Sequence, residues 1–453
     1  MRKSHRVGRG IAPLIAGAAL AALPPAGALA QSASSDLAGN DFIAKAKAGF
    51  TLRSSTFVRT QFNEVGPAAE AWGLGGWLWG ETGEIGNLFS LGGSYYFVGA
   101  LYGPKDSGNT SLLEPDQSGY GVLGEAWARL RFGDHSLIAG RQALAHGWSL
   151  DGIYRTANRF DGAFIGKRDI RGMNPLNFES ANVAGRFADD TVRYYGGYAW
   201  QMRKLNGTVF ESLASGASLP GDSDGMVYGG AQWKINKDMM LQGGYHSVQN
   251  ELDIAWGDFD YVHRLGDNRY LRFDSQYIHQ SSTGKAYLGN FSTYNAALYA
   301  EARWWPWFIP YGAIGMNGDG EELRAPYSIG PSYLVQRIGE NAKAGERTWI
   351  LGSTFDFSSL GAPGLSFDLN YGSRTGRHLA GDSSKPLADW TEWATDLVYV
   401  FPKETGWLAT SRLRLRLAYA WQKGDNYSSG VTTWLDQKQT DARIDLQIPF
   451  RFL

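Results

Sequence analysis

The chain contains no cysteine. That excludes a disulfide framework, a thiolate metal site and a cysteine nucleophile. After residue 30 no apolar run is long enough for a spanning helix, which needs about 20 residues. There is no basic excess either: 43 Lys and Arg stand against 44 Asp and Glu, a net charge of −1. A nucleic-acid partner is therefore not expected, because nothing supplies the basic field that neutralises phosphates. Histidines are few. His135, His146, His246, His263, His279 and His378 all stand outside any Gly-x-Ser-x-Gly or His-Glu-x-x-His pattern. The chain is not expected to be an enzyme or to hold a cofactor or metal. A membrane hydrolase and a secreted all-β binding protein are the rivals from other classes.

What is present begins with an export signal. Arg2, Lys3, Arg6 and Arg9 precede an apolar stretch from Ile11 to Leu23, and Ala28-Leu29-Ala30 follows. This pattern predicts a signal peptide over residues 1–30, cleaved before Gln31, and one domain over 31–453. Losing the leader's four basic residues leaves 39 basic against 44 acidic, a balance of −5. The rest is rich in glycine and aromatics, with 59 Gly, 17 Trp, 23 Tyr and 22 Phe. Mean hydropathy is nonetheless mildly negative. An exported chain without apolar helices can still cross a membrane as a closed barrel.

The C-terminal segment from Asp441 to Leu453 shows how. Ala442, Ile444, Leu446, Ile448, Phe450 and Phe452 alternate with Asp441, Arg443, Asp445, Gln447, Pro449 and Arg451. Successive strand residues face opposite sides. One face suits lipid and the other water, which is the alternation of an outer-membrane barrel. Similar segments recur at 49–62, 88–102, 118–132, 191–203, 225–234, 239–249, 269–279, 293–303, 347–357, 365–374, 391–401 and 412–423. Nineteen or twenty segments can be drawn, with 157–187 ambiguous. The even-number rule leaves eighteen or twenty strands. Short joins at 133–134, 188–190, 235–238, 264–268, 304–307, 358–364 and 403–411 largely alternate with long ones at 103–117, 204–224, 280–292, 318–346, 375–390 and 424–437. Short periplasmic turns and long external loops produce this pattern. The join near 250–254 is short where a long one is expected. Residues 318–346 form the longest expected external loop. The expected fold is thus all-β, a single antiparallel transmembrane barrel of eighteen or twenty strands, with one early loop folded inward.

The polar faces predict the lumen. Arg53 and Arg59 share one strand, Arg129 and Arg131 another. Arg186, Arg193, Arg272, Arg303 and Arg374 follow, and Arg412, Arg414 and Arg416 stand opposite Leu413, Leu415 and Leu417. Turned toward lipid, each would cost about 2–4 kcal/mol near the midplane. Facing water, the three form a ladder spaced roughly 6.5 to 7 Å per step. Guanidinium groups bind carboxylates in bidentate fashion. A ladder of them passes an anion from rung to rung when no single site holds it too tightly. The competing reading is that these arginines pair with interior Asp and Glu and hold the barrel's shape. The segment 145–156 is the expected constriction loop, with His146, Trp148, Asp151, Tyr154 and Arg155 lining it; an external cap is the alternative. Asn317, Asp319 and Glu321 have the spacing of calcium ligands, but the fuller loop pattern is missing, and a solvated acidic loop is the preferred reading.

Several runs carry a resemblance. Gly345-Glu346-Arg347-Thr348-Trp349, Asp356 to Phe367, Asp396 to Phe401, Arg412-Leu413-Arg414-Leu415-Arg416 and Arg443-Ile444-Asp445-Leu446 resemble the OprD family of substrate-specific porins. The resemblance covers residues 345–453 well and the rest more loosely. It implies eighteen strands, an inward-folded loop and a basic ladder leading small carboxylates through a narrow pore. In the middle, Gly140-Arg141-Gln142 and Asn158-Arg159-Phe160-Asp161-Gly162 look more like alginate-export porins, which implies an anionic polysaccharide as the alternative cargo. The expected partners are a small anionic solute, outer-membrane lipid and lipopolysaccharide, and the barrel-assembly machinery acting on the C-terminal strand. The expected assembly is a monomer or homotrimer in the cell outer membrane.

Overall fold

The computed structural model describes residues 41–60, 69–108, 110–144, 172–266, 268–324, 332–339 and 341–452. Eighteen long strands form one closed antiparallel barrel. They are β1 (Lys47–Arg59), β2 (Ala69–Glu81), β3 (Phe89–Tyr102), β4 (Tyr120–Phe132), β5 (His135–Gln142), β6 (Asn177–Phe187), β7 (Val192–Arg203), β8 (Met226–Lys234) and β9 (Met239–Val248). The second half holds β10 (Leu252–Gly266), β11 (Arg269–Ser282), β12 (Ser292–Arg303), β13 (Phe308–Asn317), β14 (Arg347–Asp356), β15 (Leu365–Thr375), β16 (Asp389–Val400), β17 (Arg412–Ser428) and β18 (Val431–Arg451). Each strand pairs with the next in sequence, and β18 pairs with β1 from Gly49↔Arg451 to Arg59↔Asp441 to close the ring. Closure leaves no strand edge unpaired in lipid.

The alternation read from the sequence decides which way each residue points. Along β1, Thr51, Arg53, Ser55 and Phe57 are buried inside, and Leu52 and Val58 face out. The outer wall is apolar, with Leu78, Leu123, Leu298, Ile314, Leu351, Leu417 and Ile444 exposed on it. Aromatic rings gather near its ends. Trp307 stacks on Phe355 at 6.3 Å beside a short turn, and Tyr371 meets Trp393 at 4.6 Å toward the other rim. A bulge in β4 sets the register for its arginines. Ser94 pairs with Glu125 and Tyr95 with Leu123, so Gly124 is the extra residue. A Cβ on Gly124 would lie 2.2 Å from the Tyr96 ring. Past this bulge Glu125, Arg129 and Arg131 share one face with the buried Ser90 and Ser94 partners of β3.

Among the described residues, several joins pack into the barrel rather than over it. Leu112 and Leu113 bury against the inward Tyr96, Val98 and Tyr120. Leu213, on a one-turn helix (Leu213–Gly216) capped by Ser212, buries against Phe178 and Met202. Tyr333 and Leu334 bury against Tyr299 and Tyr311. The core of this protein is therefore made of loop residues seated on the inner wall. Arg203 anchors the second plug: its guanidinium donates to the Pro175 carbonyl at 2.6 Å and the Gly207 carbonyl at 2.8 Å.

Two sequence expectations change. Residues 424–437 are not a long loop. β17 and β18 continue in register to Ser428↔Val431 and turn at Ser429-Gly430. Both turn residues have positive φ, 52° and 89°, the geometry of a two-residue hairpin turn. The tally of nineteen or twenty segments falls to eighteen strands, since 172–187 contributes one strand, Asn177–Phe187. The short join near 250 is a tight turn at Gln249–Glu251, with Asn250 at φ 65°.

Candidate functional site

The inward arginines fall into three sets. The first lies where β16, β17, β18 and β1 adjoin. Adjacent strands place Phe57, Arg443, Arg416, Asp396 and Asp368 in one row across the wall. One row toward the periplasm stand Ser55, Asp445 and Arg414, and one row outward stand Arg59 and Asp441. Asp445 takes Arg414 at 2.6 Å and Arg53 at 3.4 Å. Asp441 takes Arg59 at 2.6 Å and Arg443 at 2.7 Å. Asp396 takes Arg416 at 2.7 Å and also pairs with Arg337. Among the described residues, six guanidinium groups thus share these three carboxylates. Phe57 gives the cluster an aromatic floor, with the Arg443 guanidinium 4.2 Å and the Arg59 guanidinium 5.2 Å from its ring centre. Asp368 in the same row accepts from the Tyr311 hydroxyl at 3.1 Å and the Thr354 hydroxyl at 2.9 Å. Arg412 lies one step nearer the periplasmic mouth on the same face and is exposed.

The second set lines the periplasmic rim, where each arginine pairs with an acid near a short turn. Arg129 pairs with Glu81, and Arg131 with Glu84 at 3.0 Å. Arg186 holds Asp134 at 2.9 Å, Arg193 holds Asp190, and Arg303 lies 3.6 Å from Asp356. The third set is enclosed. Arg272 is fully buried between Asp260 at 2.9 Å and Asp274 at 3.1 Å. Arg374 lies 3.3 Å from Glu346 and 3.7 Å from Glu392. The twelve arginines read from sequence are therefore not one continuous ladder. Arg53, Arg59, Arg414 and Arg416 come together with Arg412 one step below them, and the others lie elsewhere.

Arg337 was not legible in the sequence. It belongs to the long join 318–346, whose described part bends into the lumen. Tyr333 donates its hydroxyl to Asp258 on β10. The Gln336 amide donates to Asn370 at 2.8 Å. The backbone N–H groups of Arg337, Ile338 and Gly339 all donate to the buried Glu392 carboxylate, at 2.7, 2.9 and 2.8 Å. Gly339 leaves room for the Arg374 guanidinium, since a Cβ there would lie 1.8 Å from Arg374 Nη1 and push that side chain aside. Held this way, the loop carries Arg337 onto Asp396 and offers its carbonyl to Arg59 at 3.3 Å. The constriction residues read from sequence, His146, Trp148, Asp151, Tyr154 and Arg155, lie outside the described residues. Asn317, Asp319 and Glu321 do not converge: the Asn317 amide donates to the Lys343 carbonyl, Asp319 faces His378, and Glu321 faces Arg324.

A closed barrel with an apolar belt, a polar lumen and inward loops is a channel of the outer membrane. The chain belongs to the OprD family: residues 40–451 match the family described as outer membrane porin, OprD family. It is a porin rather than an enzyme. No curated protein matches it. Among solved structures it is similar to OpdK of Pseudomonas aeruginosa with vanillate, at 20% identity and TM-score 0.73, covering 91% of this chain and 100% of that one. It is also similar to OccK2 (OpdF) of the same organism in complex with glucuronate, at 19% identity and TM-score 0.70, covering 91% and 100%. OccAB3 of Acinetobacter baumannii reaches TM-score 0.76 at 16% identity, covering 90% and 100%.

Proposed function

We propose that this porin gives passive, selective passage to small carboxylate-bearing solutes along the wall built by β16, β17, β18 and β1. The observation that carries this reading is the sharing of three carboxylates among six guanidinium groups. Paired one to one, a guanidinium offers little to a passing anion. Here each carboxylate is held between two guanidinium groups, so an incoming carboxylate can replace one partner without leaving any charge buried alone. Arg337, brought in by the loop, narrows the path where Arg59, Arg416 and Arg443 stand. Arg412 continues the row toward the periplasm. Residues 145–156 are proposed to bound the opposite side, with His146, Trp148, Asp151, Tyr154 and Arg155 toward the pore. Vanillate and glucuronate, named with the two Pseudomonas porins, are both small carboxylates, in keeping with this reading.

The test is ion selectivity and solute flux of the purified chain. Reversal potentials in planar bilayers under a KCl gradient should show preference for chloride. Liposome influx should be faster for benzoate and glucuronate than for neutral solutes of equal size. A cation-selective pore, or equal rates for charged and neutral solutes, would overturn the proposal.

A further inference from the structure

The outer wall of this barrel is not evenly covered. Between β9 and β15 it carries a groove of about 930 Å³. Its floor is made of small side chains that face lipid on neighbouring strands: Gly257 on β10, Ser275 on β11 and Ala296 on β12. Its walls are Tyr277, Leu298 and Trp349, all exposed. The pairing register fixes its course. Arg347 lies beside Met316, Met316 beside Ala296, Ala296 beside Tyr277 and Tyr277 beside Gly257. Arg347 is the first residue of β14 after the long external join, and Leu241 at the far end is the third residue of β9 after a short periplasmic turn. The groove therefore runs downward across the wall. Five strand spacings of about 4.8 Å give roughly 24 Å. At a strand tilt of about 40° that descends by roughly 15 Å, half of a hydrocarbon core of about 30 Å. The groove is one leaflet deep.

Its outer end is charged. The Arg347 guanidinium is exposed, and among the described residues it makes no ion pair or hydrogen bond. The one carboxylate in the lining, Asp258, points into the lumen, where it accepts from Tyr333. An apolar trough one leaflet deep, topped at the external rim by an unmatched guanidinium, is complementary to an acyl chain below a phosphate. We propose that this groove binds a phosphate-bearing lipid of the outer leaflet, the lipid A part of lipopolysaccharide, with one acyl chain over Ser275 and Ala296 and one phosphate on Arg347.

The test uses the full chain purified in detergent and titrated with defined diphosphoryl lipid A, with bound copies counted by native mass spectrometry. Wild type should retain one tightly held lipid A. Arg347→Gln should weaken it about tenfold, and Arg347→Lys should recover most of the loss. Ala296→Phe fills the trough and should abolish the tight site. Both substitutions face lipid, and heat-modifiable gel mobility confirms a folded barrel in each. Lipid A stripped of its phosphates should bind wild type no better than intact lipid A binds Arg347→Gln. Equal binding by wild type, Arg347→Gln and Ala296→Phe would overturn the proposal. So would equal binding of stripped and intact lipid. Oligomers that Ala296→Phe dissociates would assign the groove to a second copy of the chain and overturn it too.

Discussion

Glu392 is the point on which the inward loop depends most. Its buried carboxylate accepts three successive backbone N–H groups, from Arg337, Ile338 and Gly339, at 2.7 to 2.9 Å. It also accepts the Trp390 indole N–H at 3.3 Å. Hydrogen bonds to a charged acceptor are worth about 1.5–3 kcal/mol each. Glu392→Gln keeps the oxygen that takes Arg337 and Ile338 and turns an amide NH₂ toward Gly339 and Trp390, so two bonds are lost, one of them to the loop. That is a shift of roughly ten- to a hundredfold in the balance between seated and lifted loop, at about 1.4 kcal/mol per tenfold. Glu392→Ala orphans all three N–H groups, with an upper bound of about 3–9 kcal/mol at 1–3 kcal/mol each. The loop can avoid most of that by lifting its backbone into water, so the expected result is movement rather than unfolding. Single-channel recordings should show higher mean conductance and new flicker in Glu392→Ala, with Glu392→Gln between it and wild type. Folded Glu392→Ala barrels with wild-type conductance and noise would refute the latch.

Three further outcomes follow from the charge-sharing wall and one external turn. Arg414→Ala leaves Asp445 with Arg53 at 3.4 Å and removes one positive charge from the wall; the reversal potential should move toward neutrality, and no change after losing Arg412, Arg414 and Arg416 together would count against the wall. Asp396→Asn should act in the opposite direction, strengthening anion preference because Arg337 and Arg416 lose their common partner; a weaker preference would contradict the proposed path. Glu251, in the turn between β9 and β10, is fully buried with both carboxyl oxygens unbonded among the described residues, and burial raises it to about 6 from an ordinary 4.5. A raised carboxyl favours the folded state while protonated, so its contribution is present below about 4.5 and lost as pH rises through 6. Glu251→Gln should therefore raise the heat-modification midpoint at pH 7.5 and leave it unchanged at pH 4, and an equal gain at both pH values would contradict this.

The barrel was legible because two solvents impose one period. Lipid outside and water inside force alternation at every step of β1 or β18, so Ile444 and Asp445 announce their faces without knowledge of any partner. The joins were less legible, since their lengths reveal only which end they occupy. Nothing in Tyr333 to Gly339 alternates, and what seats that segment is Glu392, more than fifty residues later. The hairpin at Ser429-Gly430 carried a local turn signal, but its flanks, Asp425-Asn426-Tyr427 and Thr432-Thr433, lack the greasy face that marks a spanning strand. They stand beyond the apolar belt, where no lipid demands one.

The two readings of the arginines, conduction and structural pairing, look exclusive when each residue is taken alone. A count of partners separates them. Where acids match or outnumber guanidinium groups, as around Arg272 with Asp260 and Asp274, the charge is satisfied within the wall and an added anion meets repulsion. Where two guanidinium groups divide one acid, as at Asp396, Asp441 and Asp445, pairing fixes the geometry and, among the described residues, guanidinium groups outnumber the acids that hold them. A shared acid also keeps each rung weak, because a carboxylate bound between two arginines competes with any solute for both. Fast transport needs sites that attract without holding. On the proposed path Asp396, Asp441 and Asp445 act together with the arginines, and removing one of them should slow release of a bound carboxylate while raising its affinity. Longer blocking events for benzoate in Asp396→Asn single-channel records are the expected sign, and events of unchanged length would place Asp396 in the scaffold alone.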